Sequence, residues 1–323
     1  MSPSYIGLDV GGTKIAAARL SGGELVDHAL EPTDASNAEA LFAELGRAIE
    51  RVRSDDVAAV GIGLPSVVDF ATGRAKTSVN VPVRDVPVRE LLGERVGLPV
   101  HVDNDATVAA IAEAYDGDEL AVENLVMFTV GTGVGGGLVL GGRPYRGATG
   151  AAGELGHTLI ATAVERGAPD GRASFPQEGS LESLAAGTAL DRLASAAVLE
   201  HPDSFLGRRK AAGDELINGH DVVDGARAGD EIALGLLELL GERLGIGIAN
   251  AINTLDPDVV AIGGGVSSAG ELLLEPAARV ARSYVLPGVG ERTEIRLAKQ
   301  GAKAGVLGAA LLAKLEHERE EQR

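Results

Sequence analysis

Four carboxylates follow strand-like runs or lie in short glycine-rich motifs, and acidic side chains at such places can reach a bound ligand. Asp105 comes after the short strand predicted at residues 98–102 and falls in the first turn of the following helix. A helix N-terminus stabilises a carboxylate at this position, and the side chain still points beyond the end of the strand. The other three are Asp9, Glu154 and Glu182. These residue types make the binding of polar groups and proton transfer the chemistry to consider.

The neighbours of these carboxylates also have structural explanations, which the spacing alone leaves open. Asp103 and Asn104 precede the same helix, and because both residue types are good N-terminal caps, capping and function are equally open for them. His157 follows Glu154 by three positions, which places the two side chains on one face if the segment is helical. A single histidine is more often structural than a ligand, and a zinc protease motif would need a second histidine.

Two glycine-rich turns, each between strand-like runs, form the most informative pattern in the chain. One lies in MFTVGTGVGGGLVL (residues 127–140) and the other in YIGLDVGGTKIAAARL (residues 5–20). Glycines let backbone amides approach a phosphate without interference from Cβ, so both turns are predicted phosphate hairpins. A dinucleotide site built on Gly131, Gly133 and Gly136 would need a helix after the glycines, whereas LVLGG is typical of a strand. Two phosphate hairpins about a domain apart predict a duplicated fold.

Composition restricts the class of protein. With 323 residues, of which 45% are hydrophobic, the chain is long enough for two domains that each have a core. No apolar run approaches the roughly 18 residues that a membrane helix needs, and the N-terminus has no cleavable apolar segment, so a cytoplasmic protein is expected. The absence of cysteine excludes disulfides, cysteine nucleophiles and thiolate-bound metals.

The charge of the chain argues against a nucleic-acid partner. The net charge is -18 and aromatic residues make up 3% of the chain, whereas nucleic acids favour a basic face with stacking side chains. Arginine supplies most of the cations, a bias that is compatible with a salt-rich cytosol. An ordinary acidic protein explains the same composition, so both origins stay open.

Hydrophobic periodicity predicts an α/β protein. Ser36 and Glu39 have the spacing of a capping box and predict a helix after them, and the charged run 116–123 predicts a connector at the first domain boundary. The predicted strands cover residues 5–10, 15–20, 24–28, 57–64, 98–102, 125–130 and 259–263, and a long apolar helix covers 232–255.

Taken in order, these motifs resemble those of the ROK family of sugar kinases and repressors, specifically its glucokinase-like branch. LDVGGTK and TVGTGVGGG resemble the two phosphate motifs of the family, VDNDA its sugar and catalytic motif, and GELGH its ExGH sugar motif. GSLE with AAGTA resembles a further family stretch, and VVAIGGGV and AGVLGAA match segments near the adenosine. The resemblance covers nearly the whole chain.

The resemblance implies an actin-like (ribonuclease H-like) duplicated α/β fold of two domains with the ligand cleft between them. The smaller N-terminal domain would span residues 1–117, completed by the C-terminal helix at 302–323, and the larger domain would span 118–301. The resemblance also implies an ATP-dependent hexose kinase that uses Mg²⁺ and phosphorylates the 6-hydroxyl, with glucose as the first candidate. A homodimer or higher homo-oligomer without a nucleic-acid or membrane partner is expected.

By the same resemblance, Asp105 is the base that accepts the proton of the sugar hydroxyl. The implied sugar-binding residues are Gly63, Asn80, Asn104, Asp105, Glu154, His157 and Glu182. The implied nucleotide-binding residues are Asp9, Gly11, Gly12, Thr13, Lys14, Gly131, Thr132 and Gly133 at the phosphates, with Gly264 and Gly265 at the adenosine. Asp9 would also lie near Mg²⁺.

The chain departs from the family pattern at the metal-binding loop. Relatives hold a structural zinc with the ExGH histidine and three cysteines, but this chain has no cysteine, and Ser180 stands at the last of those positions. No structural zinc is therefore expected, and apolar residues such as Leu159, Ile160 and Phe175 are expected to anchor the loop. Ser66, where relatives often have glycine, is a second departure that leaves the identity of the sugar open.

Three alternatives to a glucose kinase are a kinase for another sugar, a sugar-sensing regulator and an α/β protein without this chemistry. Fructose, mannose and N-acetylhexosamines are alternative acceptors, because residue types do not define the shape of a pocket. A sugar-sensing regulator of the ROK type would need a DNA-binding domain ahead of Tyr5, where the chain has only four residues. An acidic α/β protein with incidental glycine turns would not explain why Asp105, Glu154 and Glu182 accompany both hairpins.

Overall fold

Strands and helices alternate along the chain of this computed structural model, which describes residues 3–78, 81–163, 167–168, 170–171, 174–214 and 216–322. The strands are β1 (Ser4–Val10), β2 (Lys14–Ser21), β3 (Glu24–Pro32), β4 (Val57–Leu64), β5 (Val68–Asp69), β6 (Arg74–Thr77), β7 (Arg84–Pro87), β8 (Val100–Asn104), β9 (Tyr115–Asp116), β10 (Glu119–Leu120), β11 (Leu125–Val130), β12 (Val134–Leu140), β13 (Arg143–Pro144), β14 (Val259–Gly263) and β15 (Glu294–Leu297). The α-helices are α1 (Ala38–Val52), α2 (Val88–Val96), α3 (Asp105–Ala114), α4 (Leu181–Ala185), α5 (Gly187–Glu200), α6 (Phe205–Ala211), α7 (Gly219–Arg227), α8 (Glu231–Leu255), α9 (Glu271–Tyr284) and α10 (Ala304–Glu321). Short 3₁₀ helices lie at Leu155–His157, Gly265–Ala269 and Gly301–Lys303. None of the helices in the described part of the chain is long and apolar enough to cross a membrane.

Two sheets in the described residues share one strand order. The first runs β3-β2-β1-β4-β8 and the second runs β13-β12-β11-β14-β15. In the first sheet, β1, β2 and β3 form an antiparallel meander, and β4 and β8 continue in parallel with β1. In the second sheet, β12 and β13 are antiparallel, and β14 and β15 are parallel. The repeated order confirms the predicted duplicated α/β fold.

The central strands of the first sheet are apolar on both faces because both faces are covered. All residues of β4 except Ala58 are buried, as is expected for a parallel strand between two layers. Helix α1 contributes Leu41 and Leu45 to the core that contains Ile62 of β4. Ala313 of α10 packs with Ala59 of the same strand. The helices therefore position β4 from both sides.

Several strands lie where the sequence predicted them, and one lies a few residues away from its predicted position. The strands predicted at 57–64, 125–130 and 259–263 are confirmed with the same bounds. The strand predicted at 98–102 lies two residues later, so Asp103 and Asn104 end the strand, and Asn104 also caps the helix that follows. Gly97 ends α2 in the left-handed conformation with φ +66°, so Leu98 still belongs to the turn after the helix, and the contacts with β4 begin at the Pro99 carbonyl.

One other local prediction was wrong, and two segments contain strand structure that the sequence did not indicate. Helix α1 is capped by Asn37, whose side chain accepts a hydrogen bond from the Ala40 N–H at 2.9 Å, and not by Ser36. The segment predicted as a connector at 116–123 carries β10 and the end of β9, which pair with each other, and its place at a domain boundary stays a prediction. The glycines at 135–137 belong to β12, so the second turn comprises only the residues between β11 and β12.

The contacts of the chain divide it into two compact units. The first unit comprises Met1–Met127, Gly137–Gly153 and Lys299–Arg323, and the second comprises Phe128–Gly136 and Glu154–Ala298. Helix α10 therefore belongs to the first unit. The domain boundary predicted between residues 117 and 118 stays a prediction, because the density of contacts does not by itself define a domain that folds alone.

The backbone of α10 packs directly against the backbones of the first sheet and of α3. Glycines make this close packing possible. A Cβ at Gly7 of β1 would lie 2.6 Å from the Ala310 nitrogen, and a Cβ at Gly61 of β4 would overlap the backbone of α10. Gly308 of α10 faces the backbone of Val108 in α3, where an added Cβ would also overlap. Only glycine fits at these positions without moving a helix or a strand.

We predict that Gly308→Ala destabilises the protein, because the added methyl group would overlap the backbone of α3. Overpacking of this kind lowers the free energy of unfolding by about 1–3 kcal/mol, which exceeds the gain of up to about 1 kcal/mol from replacing a helical glycine by alanine. Urea unfolding measures the difference.

Gly235→Ala is the matched control for this substitution. Gly235 is exposed in the interior of α8, and nothing lies within 4 Å of the Cβ that alanine would add there. The control is expected to be neutral or stabilising, because only helix propensity changes. Equal free energies of unfolding for the two variants would contradict the backbone contact between α10 and α3.

Candidate active site

Three parallel strands of the first sheet end at the same edge, and several of the predicted site residues lie there. In the strand register Asp9 lies opposite Gly63, and Gly63 lies opposite Asp103. Leu64 and Asn104 form the next pair. Ligands of α/β proteins bind beyond the carboxyl ends of parallel strands, so this edge is the candidate site of the first unit.

Asp105 is the first residue of α3 and is half-buried. Asn104 caps this helix, since its side-chain oxygen accepts hydrogen bonds from the N–H groups of Ala106 and Thr107, at 2.9 and 3.2 Å. The Asp105 carboxylate accepts a hydrogen bond from the Ala106 N–H at 2.8 Å. The start of the helix therefore orients Asp105 and stabilises its negative charge. Capping, one of the two explanations left open for Asn104, is confirmed.

Gly63 leaves the space in which α3 begins. A Cβ at Gly63 would lie 2.7 Å from Cγ2 of Val108 and 3.7 Å from Cα of Asp105. A larger residue at this position would have to displace the Val108 side chain. Gly63 thus sets how closely Asp105 approaches the end of the sheet.

Ser66 fixes the loop that follows β4. Its hydroxyl donates a hydrogen bond to the Thr77 carbonyl at 2.8 Å, and its own carbonyl accepts one from Nδ2 of Asn104 at 3.3 Å. Ser66 is buried, so the residue that departs from the family pattern ties the loop to the cap of α3. Asn80, a predicted sugar-binding residue farther along this segment, lies outside the described residues.

Asp9 is a partly buried carboxylate at the end of β1. Burial raises the pKa of its carboxyl, and the nearby Lys14 acts in the opposite direction by lowering it. Gly305, in the first turn of α10, faces this carboxylate, and a Cβ there would lie 2.8 Å from Oδ1 of Asp9. A carboxylate at this place, beside a turn that can bind phosphate, suits the hard oxygen coordination that Mg²⁺ prefers.

The first glycine turn follows Asp9 directly and is held by hydrogen bonds on both sides. The Gly11 N–H donates to the Lys14 carbonyl at 2.9 Å, which closes the turn. The Thr33 hydroxyl donates to the Gly11 carbonyl at 2.8 Å, and the Thr33 N–H donates to the Thr13 carbonyl at 3.0 Å. Gly12, Thr13 and Lys14 are exposed, as residues that meet an anion must be.

The second glycine turn belongs to the second unit and is held by two helices that follow it in the chain. The Gly131 N–H donates to the Gly133 carbonyl at 2.9 Å. The Glu182 carboxylate of α4 accepts a hydrogen bond from the Val134 N–H at 2.8 Å, and the Gly187 N–H of α5 donates to the Gly131 carbonyl at 2.7 Å. Glu182, which the resemblance assigns to the sugar, thus also borders the predicted phosphate turn.

Glu154 and His157 lie on one 3₁₀ turn. Nε2 of His157 is 3.8 Å from Oε2 of Glu154, and the imidazole meets the ring of Phe175 edge to face with 5.4 Å between ring centroids. Gly156 packs against the Val134 carbonyl, where a Cβ would overlap. Because Val134 contacts both Gly156 and the Glu182 carboxylate, the ExGH motif and the second glycine turn share one support.

A cavity of about 540 Å³ lies beside the second glycine turn. It is lined by the turn, by α5 and α7, and by the short helix after β14: Gly131, Thr132, Gly187, Thr188, Leu190, Asp191, Asn218, Gly219, His220, Val223, Gly265, Val266 and Ser268. The Thr188 hydroxyl donates to the Thr132 carbonyl at 3.0 Å, which joins α5 to the turn. The volume and the mixed polar and apolar lining suit a ligand of nucleoside size.

Gly264 and Gly265 differ in their relation to this cavity. Gly264 has φ +86°, and a Cβ there would overlap the backbone of Val130, so glycine is needed to connect β14 closely to β11. Gly265 lines the cavity, with open space where a Cβ would be. Of the two residues predicted at the adenosine, Gly265 therefore borders the cavity and Gly264 shapes the backbone before it.

Sequence reasoning missed the cavity residues on α5 and α7. Asn218 caps α7 in a capping box with Asp221, and the Asp191 carboxylate accepts a hydrogen bond from the Gly219 N–H at 2.7 Å. The run NGHD carries a helix-start signal that could have located α7. No local signal indicates that α5 and α7 line a cavity with the turn at 131–133, because the chain segments are far apart in sequence.

Backbone hydrogen bonds hold the two ends of the loop that lacks cysteines. The Ile160 N–H donates to the Gly179 carbonyl at 2.8 Å. The expectation that apolar side chains anchor the loop was wrong for Leu159 and Phe175, which are 51% and 68% exposed. Ser180, at the position of a family cysteine, is buried and caps α4. Within the described ranges no three His, Asp or Glu side chains form a metal-binding cluster, and the expected lack of structural zinc stays a prediction.

The structure therefore gathers the predicted residues into two groups, one in each unit. The group of the first unit lies at one sheet edge and contains Asp9, Gly11, Gly12, Thr13, Lys14, Gly63, Asn104 and Asp105. The group of the second unit surrounds the second turn and contains Gly131, Thr132, Gly133, Glu154, His157, Glu182, Gly264 and Gly265.

Comparison with known proteins identifies the family of the chain. The glucokinase of Halalkalibacterium halodurans is 38% identical over 318 residues, which are 96% of this chain and 94% of that protein. The glucokinase of Streptomyces coelicolor is 34% identical over 96% of this chain and 97% of its own length. A solved structure of a ROK family glucokinase from Streptomyces griseus, in complex with glucose and AMPPNP, superposes with a TM-score of 0.78 at 33% identity, covering 97% of this chain and 99% of that one. The ROK family model itself matches residues 5–316. The resemblance read from the motifs is confirmed, and the chain belongs to the ROK family.

Proposed function

We propose that this protein is an ATP-dependent glucokinase, which transfers the γ-phosphoryl group of ATP to the 6-hydroxyl of glucose. The observation that carries the proposal is the position of Asp105, a half-buried carboxylate held at the first turn of α3, at the sheet edge that also presents Asp9 and the first glycine turn. The similarity to two glucokinases over nearly the full chain, and to a glucokinase solved with glucose and AMPPNP, supports the same activity.

Asp105 is the general base in this proposal. As the sugar oxygen attacks the γ-phosphorus, the proton of the 6-hydroxyl passes to the Asp105 carboxylate, and the bond between the γ-phosphorus and the bridging oxygen breaks to release ADP. Phosphoryl transfer depends mainly on positioning and charge neutralisation, so the base must be held firmly beside the acceptor oxygen. The hydrogen bond from the Ala106 N–H and the Asn104 cap provide this orientation.

The two glycine turns bind the phosphates of ATP. The first turn contributes Gly11, Gly12, Thr13 and Lys14, and the second contributes Gly131, Thr132 and Gly133. The cavity beside the second turn takes the adenosine, with Gly265 in its lining and Gly264 shaping the backbone before it. Mg²⁺ would be held by Asp9 together with the phosphate oxygens, and it supplies charge neutralisation for phosphoryl transfer when bound.

The hydroxyl groups of the sugar are bound by polar residues that complement Asp105. Asn104, Glu154, His157 and Glu182 are the proposed contacts, and Gly63 and Asn80 complete the proposed set. Carboxylates suit this task because they accept hydrogen bonds from hydroxyl groups. The hydrogen bond from the Val134 N–H holds Glu182 in place before a sugar arrives.

The remaining features of the proposal follow from the family and from composition. The enzyme acts in the cytoplasm as a homodimer or higher homo-oligomer, and it needs neither a nucleic acid nor a membrane. Its domains are residues 1–117 with 302–323, and residues 118–301. Fructose, mannose and N-acetylhexosamines are the alternative acceptors, because contacts of the same type can serve pockets of different shape.

The activity is tested by incubating the purified protein with ATP and Mg²⁺ and a panel of glucose, fructose, mannose and N-acetylglucosamine, while ADP release is followed. We expect glucose to give the highest kcat/KM. A higher kcat/KM for another sugar would change the assigned substrate within the kinase class. Release of no ADP with any sugar would contradict the kinase itself.

We predict that Asp105→Asn and Asp105→Ala each lower kcat at least about 100-fold, because general-base catalysis contributes roughly 10² to 10⁴. The asparagine amide keeps the size of the carboxylate but cannot take the proton. Steady-state kinetics with glucose measures the loss, and circular dichroism checks the fold. Asp55→Asn, at an exposed aspartate elsewhere in the first unit, is the control and should retain wild-type turnover. Wild-type turnover in Asp105→Asn would remove Asp105 from the role of base.

We predict that the protein purified without chelator contains no stoichiometric zinc, because no thiolate is present to bind it. Treatment with EDTA followed by excess Mg²⁺ should then restore full activity. A structural zinc would instead contribute to folding, and its removal would lower the melting temperature. Elemental analysis showing one zinc per chain, or activity that returns only with zinc, would overturn this prediction.

A further inference from the structure

Arg146 follows β13 and has its guanidinium group in contact with three partners of the first unit. Nε of Arg146 lies 2.6 Å from Oδ2 of Asp103, and one terminal nitrogen lies 3.3 Å from Oε1 of Glu316 in α10. The guanidinium carbon lies 3.5 Å from the ring centroid of Phe70. The Arg146 side chain is only 14% exposed, so these contacts hold it in one orientation.

The first partner of Arg146 leads directly to Asp105. Asp103 is 1% exposed, and its second oxygen, Oδ1, accepts a hydrogen bond from the Asn104 N–H at 2.9 Å. Asn104 in turn caps α3, whose first residue is Asp105. The guanidinium is therefore connected to the start of α3 by the ion pair with Asp103, by the hydrogen bond between Asp103 and Asn104, and by the cap that Asn104 forms.

The Asp103 carboxylate needs a fixed cation beside it. Burial raises the pKa of Asp103, and Arg146 lowers it through its charge and its hydrogen bond. If the cation were lost, a buried carboxylate would be left without its partner, and the carboxylate would either move or take up a proton. Either change would disturb the hydrogen bond to Asn104 and with it the start of α3.

The segment that carries Arg146 is itself held against β5. The Ala152 N–H donates to the Arg146 carbonyl at 3.1 Å, which closes the turn after Arg146. Gly150 has φ +85°, and a Cβ there would overlap the Val68 carbonyl. Phe70, whose ring lies under the guanidinium, directly follows β5, the strand that contains Val68. The backbone thus places Arg146 before any ligand binds.

We propose that Arg146 is a positioning residue for phosphoryl transfer, which acts through Asp103 and Asn104 to hold Asp105 at the acceptor hydroxyl. The inference rests on the proposed function, because it needs Asp105 as the base. Arginine suits this role better than lysine, since a planar guanidinium can lie flat on the ring while it donates to two carboxylates from different nitrogens. A lysine ammonium can pair with Asp103 but cannot make the other two contacts in the same way.

The test compares Arg146→Met, Arg146→Lys and the control Arg143→Met in glucose phosphorylation. Arg143 is an exposed arginine three residues earlier, so its substitution removes the same charge without touching Asp103. Titration with AMPPNP by calorimetry counts the molecules that bind nucleotide, and kcat is expressed per binding site. A purely structural role of Arg146 would lower the number of sites and leave kcat per site unchanged.

We expect Arg146→Met to lower kcat per site about tenfold or more, because small displacements of a catalytic group reduce rates strongly. The KM for ATP should stay within about twofold of the wild type, since no nucleotide contact is removed. Arg146→Lys should fall between Arg146→Met and the wild type, and Arg143→Met should equal the wild type. A kcat per site for Arg146→Met within about twofold of the wild type would overturn the proposal.

Two further outcomes are decisive. If Arg146→Met binds no AMPPNP because it does not fold, Arg146→Lys decides: a kcat per site reduced about threefold or more supports the proposal, and wild-type kcat overturns it. If the wild-type protein phosphorylates no sugar, the proposed function has failed. An active wild type with an unaffected Arg146→Met variant means that the inference about Arg146 alone has failed.

Discussion

The close contact of α10 with the first sheet and with α3 is the constraint on which the first group of site residues depends. Glycines at Gly7, Gly61 and Gly308 remove the side chains that would separate these backbones. The same helix presents Gly305 to the Asp9 carboxylate, and α3 carries Asp105 at its start. Packing of glycine against backbone thus sets the positions of both carboxylates, one at the end of β1 and one after β8. If side chains separated α10 from the sheet and from α3, the helices would lie farther away, and neither carboxylate would keep its position at the sheet edge beside the first glycine turn.

The two glycine turns occupy equivalent places in two sheets of the same strand order, but different segments surround them. Both turns connect the first two strands of a sheet, but their surroundings differ. The first turn is held by Thr33, the residue that follows β3, and comes directly after a carboxylate, Asp9. The second turn is held by Glu182 and by Gly187 from helices later in the chain, and it opens onto the cavity between α5, α7 and the segment after β14. The duplicated strands supply the two glycine turns, and the segments that follow the second turn supply the cavity.

Much of the fold and part of the candidate site could be predicted from the sequence. Continuous apolar runs bounded by proline or glycine located β4, β11 and β14, and the glycine motifs located both turns, because these signals are local. The roles of Asn218 and Asp191 at the cavity, and of Arg146 beside Asp103, depend on contacts between segments distant in sequence. Spacing also could not separate capping from binding at Asn104, since a side chain that caps α3 is held at the edge where a sugar would bind. The loop without cysteines was predicted to be anchored by apolar side chains, but backbone hydrogen bonds at its ends hold it instead, leaving Leu159 and Phe175 exposed.

The central claim is that the start of α3 holds Asp105 at the hydroxyl group that receives the phosphoryl group. A crystal structure of the protein with glucose and a non-hydrolysable ATP analogue measures this most directly. The distance from the sugar O6 to the nearer Asp105 carboxylate oxygen should be roughly 2.6–3.2 Å, with the γ-phosphoryl group on the other side of O6. A bound glucose whose O6 lies beyond hydrogen-bonding distance of Asp105, or meets another carboxylate such as Glu182 or Glu154, would contradict the claim.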